Sequence, residues 1–88
     1  MQETKYDIDP AVLRAWMMKY ICRVLSLDPD SFSTSERFDV YGLDSLEAVI
    51  MADSMEQEFQ VTVEPEQFFD APSVDEFVAA FTNAAPVV

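Results

Sequence analysis

A single glycine, Gly42, stands in this 88-residue chain. Backbone positions with φ > 0 fall mainly to glycine, so one glycine leaves little room for the tight turns of a many-stranded β fold. It also leaves no glycine-rich phosphate loop. Half of the residues are hydrophobic, enough for a packed fold rather than a disordered chain. The length suits one domain with a modest core.

Helical signals fill most of the chain. Asp9-Pro10 reads as an N-cap followed by proline at the first helical position. Leu13, Met17, Tyr20 and Val24 then recur at helical spacing beside Trp16, which predicts a helix from Pro10 to Leu25. Cys22 falls opposite that stripe and reads as an inert packing or surface residue. Residues 26–44 hold Asp28-Pro29-Asp30-Ser31 and Ser33-Thr34-Ser35, which predict a long loop with room for one short helical turn. Phe32, Phe38 and Val40 are expected to pin it to the core. A second long helix is predicted from Ser45 to Phe59, capped by Asp44, with Glu47 at the capping-box position. A short helix is expected at Pro65–Phe69. The last helix is announced by Pro72 and by the box Ser73-Val74-Asp75-Glu76, with Val74, Phe77, Val78 and Phe81 on one face. Val61-Thr62-Val63 is too short to build a sheet. The expected fold is all-α: a small four-helix bundle of three main helices and one short one. The domain is expected at residues 9–83, between tails 1–8 and 84–88.

Charge and chemistry exclude several functions. The net charge is −12, and residues 38–88 contain no Lys or Arg. An acidic half repels phosphate backbones, so nucleic acid is not an expected ligand. There is no histidine and only one cysteine, which removes Ser-His-Asp and Cys-His relays and histidine or multi-cysteine zinc sites. Asp28-Pro29-Asp30 only opens a calcium-loop pattern, because Phe32 and Ser33 stand where a ligand and a glycine belong. The chain is not expected to be an enzyme or to hold a metal. No apolar run reaches the length of a membrane span, and the first residues lack a secretory pattern. A cytoplasmic location is the expectation.

The segment from Phe38 to Val49 carries the function. Gly42 precedes the second helix, Asp44 caps it and Ser45 becomes its first residue. A hydroxyl at such a junction is exposed, and a phosphodiester attached there would meet free backbone N–H groups and the positive end of the helix dipole. Asp-Ser at a helix start is ordinary capping in most chains; the surrounding residues add to it. Gly42-Leu43-Asp44-Ser45-Leu46 resembles the attachment motif of acyl carrier proteins. Glu58-Phe59 closing the second helix and Phe68-Phe69-Asp70-Ala71-Pro72-Ser73-Val74 before the last one fit in the same order, so that the resemblance spans roughly residues 10–82.

The resemblance implies a covalent 4'-phosphopantetheine on Ser45, transferred from coenzyme A by a phosphopantetheinyl transferase with Mg²⁺. Acyl groups would ride on its thiol as thioesters, presented to synthase, acyltransferase or acyl-ligase enzymes by a monomeric carrier. The Phe-Phe-Asp-x-Pro-Ser-Val run looks most like acyl carriers of polyketide synthases; fatty-acid synthesis is the neighbouring pathway. A peptidyl carrier domain of a nonribosomal synthetase is the alternative, disfavoured because such carriers more often have glycine where Leu43 stands. An unmodified acidic helical adaptor is the alternative of a different class. Gln60 departs from the pattern, since a glycine is common there.

The second helix also predicts a docking face. Ala48, Met51, Ala52, Met55 and Phe59 form its core stripe at 100° per residue. Leu46, Val49 and Ile50 fall on the other side with Asp53, Glu56 and Gln57. With Glu47, this surface reads as an apolar centre with an acidic rim, suited to a basic partner protein.

Overall fold

The computed structural model describes residues 7–82, so residues 1–6 of the expected N-terminal tail, the last residue of the expected domain 9–83 and the whole expected tail 84–88 lie outside the described residues. Four α-helices follow in order: α1 (Pro10–Val24), α2 (Ser45–Phe59), α3 (Gln67–Asp70) and α4 (Val74–Phe81). Among the described residues there is no strand, and an isolated antiparallel bridge joins Arg37 and Ser73. The all-α bundle of three main helices and one short one is the fold observed.

Each long helix starts on a side chain that satisfies an open backbone N–H. The Asp9 Oδ1 accepts from Ala11 N at 2.9 Å, and the Asp44 Oδ1 from Glu47 N at 3.0 Å. At α4 the Ser73 Oγ accepts from Glu76 N at 3.1 Å, while its hydroxyl donates to the Glu76 carboxylate at 3.3 Å. Each such cap stabilises a helix by about 1 kcal/mol.

The apolar faces meet in one core. α1 packs on α4, and Leu13, Met17, Met51, Met55, Val74, Val78 and Phe81 are almost fully buried. An aromatic column runs through the molecule. Phe38 meets the edge of Phe68, Phe68 stacks on Phe77 with ring centroids 4.6 Å apart, and Phe77 stacks on Phe81 at 4.9 Å. It joins the long loop to α3 and α4.

The loop is more ordered than its composition suggests. It contains two 3₁₀ turns, Pro29–Ser31 and Phe38–Tyr41, where one turn was expected. The Phe38 N–H donates to the Pro72 carbonyl at 2.7 Å, and the Asp75 N–H to the Thr34 carbonyl at 3.0 Å. The two Asp75 carboxylate oxygens receive Arg14 Nε and Thr34 Oγ1, each at 3.1 Å. One carboxylate therefore ties α1, the loop and α4 together.

Two packing expectations need correction, at Val40 and Val24. Val40 does not pin the loop and is 61% exposed. A 3₁₀ turn repeats every three residues, so Phe38 and Tyr41 share the inward side and Val40 falls off it. On α1, Val24 is exposed while Ile21 is buried in its place. Cys22 is buried too, because the chain folds back over the end of α1. There the Leu27 N–H donates to the Cys22 carbonyl at 2.8 Å, and the Pro29–Ser31 turn packs on α1. Burial, then the nearby charge of Asp28, push the Cys22 thiol pKa up. Three boundaries also shift: α1 ends at Val24, not Leu25, and α3 runs from Gln67 to Asp70 rather than from Pro65 to Phe69.

Candidate functional site

Gly42 ends the Phe38–Tyr41 turn with φ 90° and ψ 17°. Its N–H donates to the carbonyl of Asp39 at 3.1 Å. A Cβ at Gly42 would meet nothing within 4 Å, so the demand for glycine here is one of backbone angle rather than space. The turn reverses the chain, and the Leu43 N–H bonds back to the Phe38 carbonyl at 3.2 Å while its side chain enters the core. Asp44 follows with extended backbone and caps α2.

Ser45 is the first residue of α2 and is exposed. Among the described residues its hydroxyl has no hydrogen-bond partner. Asp44 takes the N–H of Glu47, which leaves the N–H groups of Ser45 and Leu46 open at the positive end of a 15-residue helix. An unpartnered, outward hydroxyl beside open N–H donors fits a phosphodiester, whose oxygens are acceptors only. When bound, phosphopantetheine supplies a thiol that carries acyl groups as thioesters. The capped helix start holds the Ser45 hydroxyl at a fixed place on α2, and the acids Asp44 and Glu47 beside it repel free anions. No base stands against the Ser45 hydroxyl among the described residues.

The expected docking residues share α2 but not one role. Leu46, Val49 and Ile50 are exposed by 66%, 49% and 45%, beyond the core stripe of Ala48, Met51, Ala52 and Met55. Phe59, expected in that stripe, is half-buried against the edge of Trp16. Asp53 is exposed and accepts from Gln57 Nε2 at 3.3 Å. Glu47 is half-buried. Glu56 is also half-buried, and its Oε2 accepts from the backbone N–H of Val63 at 2.8 Å. That oxygen fastens the segment after α2 instead of facing outward.

Sequence reasoning missed a groove beside the serine. A cavity of about 160 Å³ opens between Phe38, Leu43, Ala48, Phe69 and Pro72. Ala48 lies three residues, or one turn, after Ser45. At the rim, Arg37 Nε and Nη2 donate to the two Asp39 carboxylate oxygens, both at 3.2 Å. The Arg37 hydrogen bonds hold the Asp39 carboxyl below its ordinary pKa. Phe69 is 58% exposed while its neighbour Phe68 is buried. The signal was present in the sequence: two adjacent aromatics on one short helix cannot both face the core.

Ser45 thus stands exposed at the Asp44-capped start of α2 in a small acidic helical bundle. The family described as "phosphopantetheine attachment site" matches residues 15–81, and the chain belongs to that family. It is a carrier domain whose cofactor is covalently attached 4'-phosphopantetheine. Solved structures agree in fold. A free-standing peptidyl carrier protein from an uncharacterized Acinetobacter baumannii secondary metabolic pathway is 23% identical, with TM-score 0.74 over 80% of this chain and 88% of that one. Asl1650, an acyl carrier protein from Anabaena sp. PCC 7120 with a variant phosphopantetheinylation-site sequence, is 22% identical, with TM-score 0.74 over 89% and 90%. The acyl carrier protein LipD from Actinoplanes friuliensis is 28% identical, with TM-score 0.68 over 91% and 89%. No curated protein matches the chain. Among the described residues no helix is long and apolar enough to cross a membrane, and no cluster of His, Cys, Asp or Glu could hold a metal ion.

Proposed function

We propose that Ser45 is the attachment residue and that the chain carries acyl intermediates of a polyketide pathway. The observation that carries the site is the exposed, unpartnered Ser45 hydroxyl on the first turn of a helix capped by Asp44. Gly42 and Asp44 set its position, the one by its left-handed backbone and the other by its cap. The transferase supplies the base, and the carrier itself turns over no substrate. The arm converts encounters with successive enzymes into local ones at high effective concentration. Leu46, Glu47, Val49, Ile50 and Asp53 form the face that synthase, acyltransferase or ligase partners meet, with Glu56 at its edge. The carrier works as a cytoplasmic monomer, and its domain extends over residues 9–83.

The polyketide assignment over the peptidyl one rests on Phe68-Phe69-Asp70-Ala71-Pro72-Ser73-Val74 and on Leu43. Leu43 is a buried side chain that lines the groove, so glycine there would leave a hole. The test is intact mass after incubation with coenzyme A, Mg²⁺ and a permissive phosphopantetheinyl transferase. One phosphopantetheine is expected on the wild-type chain and none on Ser45→Ala. A gain that persists in the mutant excludes Ser45.

A further inference from the structure

The loop that leads to Ser45 is laced to the segment that leads into α4. The Asp75 N–H donates to the Thr34 carbonyl at 3.0 Å, and the Phe38 N–H to the Pro72 carbonyl at 2.7 Å. The antiparallel bridge of Arg37 and Ser73 lies between these two bonds. The Asp75 side chain closes the far end of the lacing. Its Oδ2 accepts from Thr34 Oγ1 and its Oδ1 from Arg14 Nε, each at 3.1 Å. The start of α4 does not need that carboxylate, because Ser73 and Glu76 already form the capping box. Both bonds of Asp75 are therefore spent on the loop and on α1.

Two routes carry this restraint toward the serine. Phe38 receives Pro72 at its N–H, and its carbonyl accepts the Leu43 N–H at 3.2 Å, two residues before Ser45. Its ring is held against the edge of Phe68. The second route crosses the loop. Ser33, next to Thr34, donates its N–H to the Tyr41 hydroxyl at 2.8 Å, and Tyr41 precedes Gly42. The Tyr41 ring packs on Phe32 with centroids 4.7 Å apart. A shift at Thr34 is thus passed on to the Gly42 turn, where the chain enters α2.

We infer that Asp75 is a positioning residue for modification at Ser45: through Thr34 and the braced loop it fixes where the hydroxyl stands when a transferase acts. The inference rests on Ser45 being the attachment residue. Asp75 acts through the loop, by its bonds to Thr34 and Arg14. Loss of the tie leaves the residues of α2 and their cap in place, so a partner still docks there. The hydroxyl then has to be brought back into line at each turnover, and small misplacements of a reacting group are costly. The loss falls on transfer, not on docking.

The experiment follows transfer to the full chain by a phosphopantetheinyl transferase with Mg²⁺ at saturating coenzyme A, below the melting range of every variant. Thr34→Val keeps the outline of the side chain and removes its hydroxyl. Its kcat is expected to fall about fivefold while the KM for the carrier stays within about twofold. Thr34→Ser, which keeps the hydroxyl, should recover most of the rate. Asp75→Ala should lose at least as much as Thr34→Val, and the double variant no more than Asp75→Ala, since both changes break one tie. The Leu43 amide proton should move upfield in both, as its bond to Phe38 weakens. Val78→Ala opens the buried face of α4; it should lower the melting temperature by about 10 °C, more than Thr34→Val does, yet keep the wild-type kcat. With Ser45 modified, an unchanged kcat in Thr34→Val and Asp75→Ala overturns this inference alone. An equal fall in Val78→Ala does so too, because it traces the loss to stability, as does a loss carried by KM. Absence of a melting transition in both tie variants also overturns it, since the tie would then be part of the core. A mass gain that survives in Ser45→Ala overturns the attachment site and this inference with it.

Discussion

Gln60 ends α2 in the left-handed region, with φ 58° and ψ 51°, and its Nε2 donates to the Gln57 carbonyl at 3.0 Å. A non-glycine residue in this region is strained by about 1–2 kcal/mol, a strain that the side-chain bond offsets only in part. Gln60→Gly is therefore expected to stabilise the domain by about 0.5–1 kcal/mol, once the extra freedom of glycine in the unfolded chain is counted. Urea unfolding checks this through a higher midpoint at unchanged slope. A lower midpoint would show that the Gln57 bond outweighs the backbone strain.

The aromatic column makes a larger claim. Phe77 is stacked on both Phe68 and Phe81 and is almost fully buried. Phe77→Ala should cost about 3–5 kcal/mol, against a total stability of about 5–15 kcal/mol for a small domain. Denaturant curves and near-ultraviolet circular dichroism report it. A loss below about 1.5 kcal/mol would mean that the site collapses around the gap and that the stack is not the centre of the core.

Ile50 separates packing from recognition. It is 45% exposed on α2, with Glu47 and Asp53 one turn away on either side. Ile50→Glu should lower stability by no more than about 0.5–1 kcal/mol, mostly through repulsion from those acids. The same change should weaken a cognate synthase or ligase, read as a higher KM for the carrier. A large fall in melting temperature would place Ile50 in the core and remove it from the docking face.

Docking as a whole should weaken with salt. The acidic face attracts basic partners over distances that salt screens within about 8–10 Å at physiological ionic strength. The KM of the transferase for the carrier should therefore climb steadily as sodium chloride is added. A flat response would leave apolar contacts alone in charge of recognition.

The Arg37–Asp39 pair gives a pH prediction with a definite sign. Hydrogen bonds from Arg37 hold the Asp39 carboxyl below its ordinary value in the folded chain, whereas in the unfolded chain it titrates near ~3.9. The pair's contribution is thus present above about pH 4 and is lost as pH falls through the depressed folded value. Both groups are exposed, so the contribution is small. Arg37→Gln should raise the Asp39 pKa toward the ordinary value in a side-chain NMR titration, and no movement would contradict the pairing.

What was legible in the sequence was what neighbours in the chain decide. Asp44 before Ser45, and Pro72-Ser73 before Val74, mark the starts of α2 and α4 because capping is a contact over two or three residues. The bounds of α2 and the apolar face of α4 follow directly. What failed depended on distant segments. Between packing and surface, the reading of Cys22 stayed open because a periodicity within α1 contains no information about the turn that folds over it. Val40 was assigned to the core because a 3₁₀ turn changes the repeat from 3.6 to 3.0 residues. The groove joins Phe38, Ala48 and Phe69, which no local pattern connects. The turn and helix start at Gly42, Asp44 and Ser45 were readable because they lie within four consecutive residues.

The tie at Asp75 has a consequence for biosynthesis. Arg14 is 61 positions from Asp75 and Thr34 is 41, so the loop leading to Ser45 is fastened by a residue made near the end of the domain. A ribosome releases about 5–20 residues per second, and until α4 has emerged the loop lacks Pro72, Asp75 and half of the aromatic column. Contacts of such separation form only after a large ring of chain has closed. The loop before the serine is therefore fastened late, although it lies mid-chain. If Ser45 is the attachment residue as proposed, a transferase that reads this fastened loop is expected to modify a completed chain in preference to a nascent one.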